Sequence, residues 1–280
     1  MLESTPGEHW HLVALVIPDP EATLPPIVVA GADVELPMIG GRANTVTVNA
    51  ANTTDRRIDV TVRVTGPAGW PEPAVTAAVD ASEERAIAVS LTPPLEPAIT
   101  TLIVTVTAGA DEVGDGVKRL DVIATPAADR VALALDAGGP DSPVLTGYRR
   151  LSPADTWDPG RGYGWVGTVP EFRDRNLLDV LRRDLVFGRP PDPTTLRLAV
   201  PPGVHTAHIL TGDAFAISSE TVVGIDGAVA GRSGESTIPQ GSFRWFAFEV
   251  DGGSSGRTLD LELTGNLYER IWRIVALVLV

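Results

Sequence analysis

The feature that most constrains this chain is a rhythm of two. Between residues 43 and 123, apolar and polar residues alternate in short runs separated by turn signals. "NTVTVNAAN" (44–52) sets Val46 and Val48 against Thr45, Thr47 and Asn49. "IDVTVRVTG" (58–66) places Ile58, Val60, Val62 and Val64 on one face and Asp59, Thr61 and Arg63 on the other. "RAIAVSLTP" (85–93), "TTLIVTVTAG" (100–109) and "KRLDVIATP" (118–126) repeat the pattern. Successive side chains of a strand point to opposite faces, so each run reads as a strand with one buried and one wet face. Several such strands in series, joined by turns, make an antiparallel sandwich. The 28 glycines and 24 prolines in 280 residues fit that reading and disfavour a helical bundle.

The patterning lapses at "TPAADR" (125–130), which reads as a linker, and resumes at "VALALDAGG" (131–139). Further strand-like runs follow at 194–201, 204–213, 219–227, 243–252, 257–265 and 271–280. The last ten residues, "IWRIVALVLV", are almost all apolar, which predicts a central strand buried on both faces. One helix is predicted, in "RNLLDVLRRDLVFG" (175–188), where Leu177, Leu178 and Leu181 fall at helical spacing; "DLVFG" at its end reads as extended. The chain is therefore expected to be all-β, with two β-sandwich domains at 8–125 and 129–280. Residues 8–40, with the apolar run "HLVALVIP" (11–18), are expected to add edge strands to the first.

Charge and composition exclude several functions. A net charge of -14 leaves nothing to neutralise a row of phosphates, and it disfavours an anionic membrane surface. No apolar run reaches the roughly 18 residues of a membrane helix, so the chain is expected to be soluble. The opening "MLESTPGEHW" has neither a basic nor an apolar stretch, so no signal peptide is read there. Cysteine is absent, which removes thiol catalysis, thiolate metal sites and disulfides together.

The first block resembles the immunoglobulin-like NEW3 domain (alpha-galactosidase-associated) appended to bacterial glycoside hydrolases. The likeness rests on "NTVTVNAANTT", the turn Pro67 to Trp70, and the closing strand "LIVTVTAG". It implies a spacer or accessory role. The second block resembles the galactose-binding-like or malectin-like jelly roll found beside GDSL esterases and rhamnogalacturonan-degrading enzymes. The motifs that carry this, in the family's order, run from "LDAGG" (135–139), "GYGW" (162–165) and "RRDLVFG" (182–188) to "LRLAVPPGVHTAHILTGD" (196–213), "VVGIDG" (222–227), "FAFEVDGG" (246–253), "LDLELTG" (259–265) and "WRIVALVL" (272–279). Within these 280 residues no esterase domain accompanies the jelly roll. The resemblance thus implies a non-catalytic, extracellular accessory region of a polysaccharide-degrading enzyme; the alternatives are purely structural domains without a sugar site, or a polysaccharide lyase or esterase with an unrecognised site. Its partners would be a plant or bacterial polysaccharide, pectic ones included, and a catalytic domain or partner chain.

Candidate sites follow from residue chemistry. "GGSSG" (252–256) has the spacing of a nucleophile elbow, but it lies between two strand-like runs and no histidine follows His208, so it reads as a hairpin loop. His205 and His208 point to opposite faces of one strand and cannot share a metal; His9 and His11 could share a face. The resemblance to jelly-roll modules raises a structural calcium, for which Asp136, Asp141 and Asp213 lie at strand ends, with Glu220 and Asp226 as further oxygen donors. The plainer reading is of turn-forming, solvated acids. With 36 acidic residues, nothing selects a catalytic carboxylate pair.

The aromatic residues carry the binding expectation. Tyr148, Trp157, Tyr163 and Trp165 cluster in a loop-rich stretch, followed by Arg173 and Asp174 in "EFRDR". A ring exposed there could stack on the C–H face of a sugar while Arg173 and Asp174 bond its hydroxyls. The alternative is that the rings plug the core and the charges tether a loop. Trp245 and Trp272, in apolar strands, are expected in the core, and Trp70 as a turn plug.

Overall fold

The computed structural model describes residues 24–109, 113–114, 116–176, 179–189, 193–234, 236–266 and 270–280. The readings placed on His9, His11 and "HLVALVIP" lie outside the described residues. The chain is all-β, and its strands form sandwiches.

Among the described residues, nine strands precede the linker: β1 (Ile27–Val34), β2 (Met38–Gly40), β3 (Asn44–Asn52), β4 (Ile58–Thr65), β5 (Ala74–Val79), β6 (Glu84–Leu91), β7 (Ala98–Thr107), β8 (Val113–Gly114) and β9 (Val117–Pro126). One sheet runs β6-β3-β1-β8 and the other β2-β9-β7-β4-β5. The alternation read from sequence is what the sheets bury. Val46, Val48 and Ala50 of β3 meet Val60, Val62 and Val64 of β4 and Leu102 and Val104 of β7 in one apolar cluster, while Thr61 and Arg63 point away. Trp70 packs against the rim of this core from the turn after β4, as the sequence predicts.

A short 3-10 turn, Ala128–Arg130, leads into thirteen more strands among the described residues. They are β10 (Leu133–Ala137), β11 (Arg149–Leu151), β12 (Tyr163–Val166), β13 (Glu171–Asp174), β14 (Asp184–Gly188), β15 (Thr194–Val200), β16 (Val204–Gly212), β17 (Thr221–Ile225), β18 (Ala228–Arg232), β19 (Phe243–Asp251), β20 (Arg257–Gly265), β21 (Trp272–Ile274) and β22 (Ala276–Leu279). Two five-stranded sheets, β11-β10-β22-β16-β19 and β12-β15-β20-β17-β18, are accompanied by a three-stranded sheet, β13-β14-β21.

The C-terminal strand β22 is central in its sheet, as expected, and both of its faces are covered. Leu277 and Leu279 enter the cluster shared with Trp165, Leu196 and Leu261 of the opposite sheet. Ala276 and Val278 enter a second cluster, which holds Tyr148, Leu181, Leu185, Phe187 and also Ile123 from β9. Burial on two faces is the physical reason why "ALVLV" lacks the polar-apolar alternation of the first block.

The helix predicted over 175–188 does not form among its described residues. Asn176 is left-handed (φ 51°), and the Asp179 carboxylate accepts from the backbone N–H groups of Leu181 and Arg182 at 3.1 Å each. That side-chain bond stabilises a turn, and the chain enters β14 at Asp184. The spacing that suggested a helix comes from a turn residue, Leu181, followed by a strand. "GGSSG" closes the hairpin between β19 and β20, as read from the sequence. No helix among the described residues is long and apolar enough to cross a membrane.

Candidate functional site

Three of the four predicted aromatic contacts are closed to a ligand. Trp165 is 2% exposed, Tyr163 4% and Tyr148 7%. Trp165 donates its indole N–H to Ser152 O (2.8 Å) and packs against Trp272, ring centroids 5.9 Å apart. The Tyr163 hydroxyl donates to Arg150 O (2.7 Å), and the guanidinium groups of Arg149 and Arg161 lie over its ring at 4.5 and 5.1 Å. The Tyr148 hydroxyl donates to Pro126 O (3.0 Å) and sits 2.6 Å from Thr125 Oγ1. The stacking expected of these rings is thereby corrected. Their strand β12 pairs with β15, and period two turns Tyr163 and Trp165 together into the core between the sheets.

Trp157 differs because Gly164 lets its segment run close along the edge of that sheet, beside β12. Thr156 and Asp158 bridge to Trp165 and Tyr163, and Trp157 N donates to Trp165 O (2.9 Å). A Cβ on Gly164 would stand 2.5 Å from the Thr156 carbonyl, and its φ of 151° favours glycine. The half-buried Trp157 ring is covered on one side by Arg197, whose guanidinium is 5.7 Å from its centre and is held bidentately by Asp260 (2.6 and 2.8 Å). That pairing holds the Asp260 carboxyl below the usual carboxylate range.

The exposed ring in this region is one that the sequence reading passed over, Phe172. It is 39% exposed on β13, an edge strand of which every residue is open to solvent. By period two, Phe172 and Asp174 share one face of the strand, and Glu171 and Arg173 the other. The ring rests on Gly139: a Cβ there would lie 2.7 Å from the Phe172 ring. Asp174 is gripped by Arg183, with Nη2 to Oδ2 at 2.9 Å, which pulls its carboxyl below the usual range. Arg173 and Arg189, on the other face, cover Phe187 at 4.9 and 5.3 Å, and Glu171 holds Arg189 at 3.1 Å. The structure thus brings Arg173 and Asp174 to one strand but to opposite faces. A lone Phe between Glu171 and Arg173, in a stretch without apolar periodicity, was the available signal for an exposed ring.

Under Phe172 lies a buried acidic pocket. Gly139 N donates to Asp184 Oδ2 (3.1 Å) and to Ser142 Oγ (3.2 Å), which joins the "LDAGG" and "RRDLVFG" motifs. Asp136 accepts from Leu145 N (2.7 Å), and burial pushes its carboxyl up to about 8. Burial raises Asp184 as well.

The acids proposed for calcium do not converge. Asp136 is buried in this pocket, Asp141 is exposed in the turn above it, and Asp213 is taken by arginines, with Arg175 at 2.9 and 2.6 Å and Arg273 at 3.6 Å. Glu220 is buried beside Asn266 (3.1 Å), and Asp226 is exposed in the β17–β18 turn. Among the described residues, no group of three or more His, Asp or Glu is arranged to hold a metal ion. His208 is buried on β16 and His205 half-buried.

No family model matches the chain, and no curated protein matches it. Among solved structures it is similar in part to the Bacillus subtilis protein YXIM, at 17% identity, over 52% of this chain and 39% of that one, with a TM-score of 0.41. It is similar to a Bacteroides uniformis β-glucuronidase at 14% identity, over 91% of this chain and 30% of that one, with a TM-score of 0.37. The likeness to B. uniformis β-glucuronidase 2 bound to a cyclophellitol-6-carboxylate aziridine is at 13% identity, over 92% and 30% of the two chains, with a TM-score of 0.35. The chain spans between 30% and 39% of the length of these proteins.

Proposed function

We propose that the chain is a non-catalytic accessory region of an exported bacterial polysaccharide-degrading enzyme, a NEW3-like sandwich followed by a galactose-binding-like jelly roll. Its sugar contact is the Phe172 face of β13. The observation that carries this reading is the exposed Phe172 ring packed against Gly139, with the Asp174–Arg183 ion pair on the same strand face. An aromatic ring offers a surface for the C–H face of a pyranose, and a carboxylate and guanidinium beside it offer an acceptor and donors for its hydroxyls. The surface is shallow, so binding is weak, with a Kd of roughly micromolar to millimolar.

The test is calorimetric titration with pectic, plant and bacterial polysaccharides, with Phe172→Ala as control. Binding that disappears in the variant while its stability changes by less than about 1 kcal/mol, as for an exposed edge residue, supports the reading. No binding to any glycan, or binding unaffected by the substitution, removes Phe172 as the site.

A second reading, that the sandwiches act only as a spacer, is favoured by the same burial that closes Tyr148, Tyr163 and Trp165. Tyr148 reaches from the second block to Thr125 and Pro126, and Arg42 pairs with Asp129 across the linker at 2.7 Å. In that case no glycan binds, and the chain's role is to hold a catalytic domain or partner chain in a set position.

A further inference from the structure

The loop that meets the first sandwich is fastened over two buried carboxyl groups. Asp136 on β10 is 3% exposed and Asp184 on β14 is 1% exposed. Each has one oxygen satisfied by a backbone N–H, Leu145 N for Asp136 (2.7 Å) and Gly139 N for Asp184 (3.1 Å). Among the described residues, the other oxygen of each, Oδ1, is buried with no hydrogen-bond partner, and the Ser142 hydroxyl also stands beside the Asp184 carboxyl. An unpaired carboxylate oxygen out of water is strongly disfavoured, whereas a carboxylic acid carries a proton to place there.

The charged groups around Asp136 come from three elements. Asp184 faces it from β14, Asp179 from the turn before β14, and Arg150 from β11. Asp179 is engaged by Arg182 at 2.6 Å. Arg150 donates to Ser142 O at 2.7 Å, and its Nε is buried without a partner. Within the loop itself, Asp141 is exposed and Tyr148 is kept protonated by burial.

The covering loop runs from Gly139 to Tyr148, and its two ends do different work. Gly139 and Leu145 bind the acids, and Tyr148 binds Thr125 and Pro126 of β9. Leu145 and Tyr148 also pack with Ile123 of β9 in one apolar cluster. Beside the loop is a cavity of about 780 Å³, between Glu35–Thr45 of the first sandwich and Val144–Tyr148. Residues 144–148 of the loop thus border open space.

We propose that Asp136 and Asp184 form a proton-dependent latch on the junction of the two sandwiches. With Asp136 protonated, loop 139–148 stays seated and Tyr148 holds β9. Loss of the proton places a charge beside Asp184 and Asp179 that Arg150, bonded to Ser142 O, faces but does not pair with directly. The loop then lifts toward the cavity to admit water, and the junction loosens. The sign follows from a folded-state value above the unfolded one of about 4. Stability falls as pH rises from about 4, and the folded protein itself loses the proton, and the latch, near pH 8.

The chain has no cysteine, so spin labels can be placed at Glu72→Cys and Val229→Cys, both exposed, without background. The expected result is one narrow distance distribution at pH 6 that broadens at pH 9.5, with hydrogen exchange of 142–148 rising relative to β3. In Asp136→Asn the distribution stays narrow and the loop protected at both values. Asp184→Asn removes a neighbouring acid and moves the transition to lower pH, which keeps the test decisive if Asp136→Asn does not fold. A distribution that is the same at both pH values, an Asp136→Asn protein that broadens like the parent, or a midpoint unmoved by Asp184→Asn overturns the proposal.

Discussion

Trp165→Ala is the substitution that most sharply separates a core plug from a ligand contact. The ring is 2% exposed, touches the cluster of Leu196, Leu261 and Leu277, and packs on Trp272. Removing a buried Trp side chain costs about 3–5 kcal/mol through lost transfer energy and the cavity left behind. It also strands Ser152 O, which accepts the indole N–H at 2.8 Å, and an unsatisfied buried acceptor costs about 1–3 kcal/mol. These effects overlap, since the cavity can admit water to the carbonyl, so the expected loss is about 4–6 kcal/mol. For a domain of this size that corresponds to a Tm lower by roughly 10–20 °C. The assay is urea unfolding with scanning calorimetry, read on the transition of the second sandwich. Trp165→Phe keeps most of the apolar volume, loses the hydrogen bond, and should fall between the two at about 1–3 kcal/mol. A loss below about 1.5 kcal/mol for Trp165→Ala would refute the reasoning, because it means that the ring is not part of the packed core.

Two further outcomes are expected. Gly164→Ala forces a Cβ to within 2.5 Å of the Thr156 carbonyl at a φ of 151°, so it should cost about 2–4 kcal/mol and free Trp157 from the sheet, seen as a red-shifted emission. Asp213→Asn removes the charge that Arg175 and Arg273 share in a buried site, and should lower stability by about 3–5 kcal/mol. Unfolding titrations check both, and an Asp213→Asn protein as stable as the parent would show that the arginines find other partners.

Much of the first sandwich was legible because its strands are wet on one face. Val46, Val48, Val60, Val62 and Val64 alternate with polar residues for a single physical reason, and all are buried. The second block was legible where its strands are long, as at β15, β16, β19 and β20, and at β22, whose two-sided burial shows as an unbroken apolar run. The four-residue strands β12 and β13 and the turn at Asp179 were not, because so few residues carry no period. The helix expected at 175–188 failed there, since a side-chain bond from Asp179 to two backbone N–H groups outweighed the leucine spacing.

The candidate site shows the same division. Composition and spacing determined that rings and charges gather between residues 148 and 175, and that no cysteine or histidine chemistry accompanies them. Which ring meets solvent was decided by tertiary pairing. Strands β12 and β13 both end a sheet, but β12 turns Tyr163 and Trp165 onto the core between the two five-stranded sheets, whereas β13 is open along its length and leaves Phe172 over Gly139. The acids divide likewise: Asp136, Asp184 and Asp213 are ordinary in sequence, and only the fold buries the first two without a salt bridge among the described residues and gives the third two arginines. Alternation is a property of neighbours along the chain, and so the sequence carries it. Exposure at a sheet edge and the charge facing a buried acid depend on residues tens of positions away, and only the folded chain brings those together.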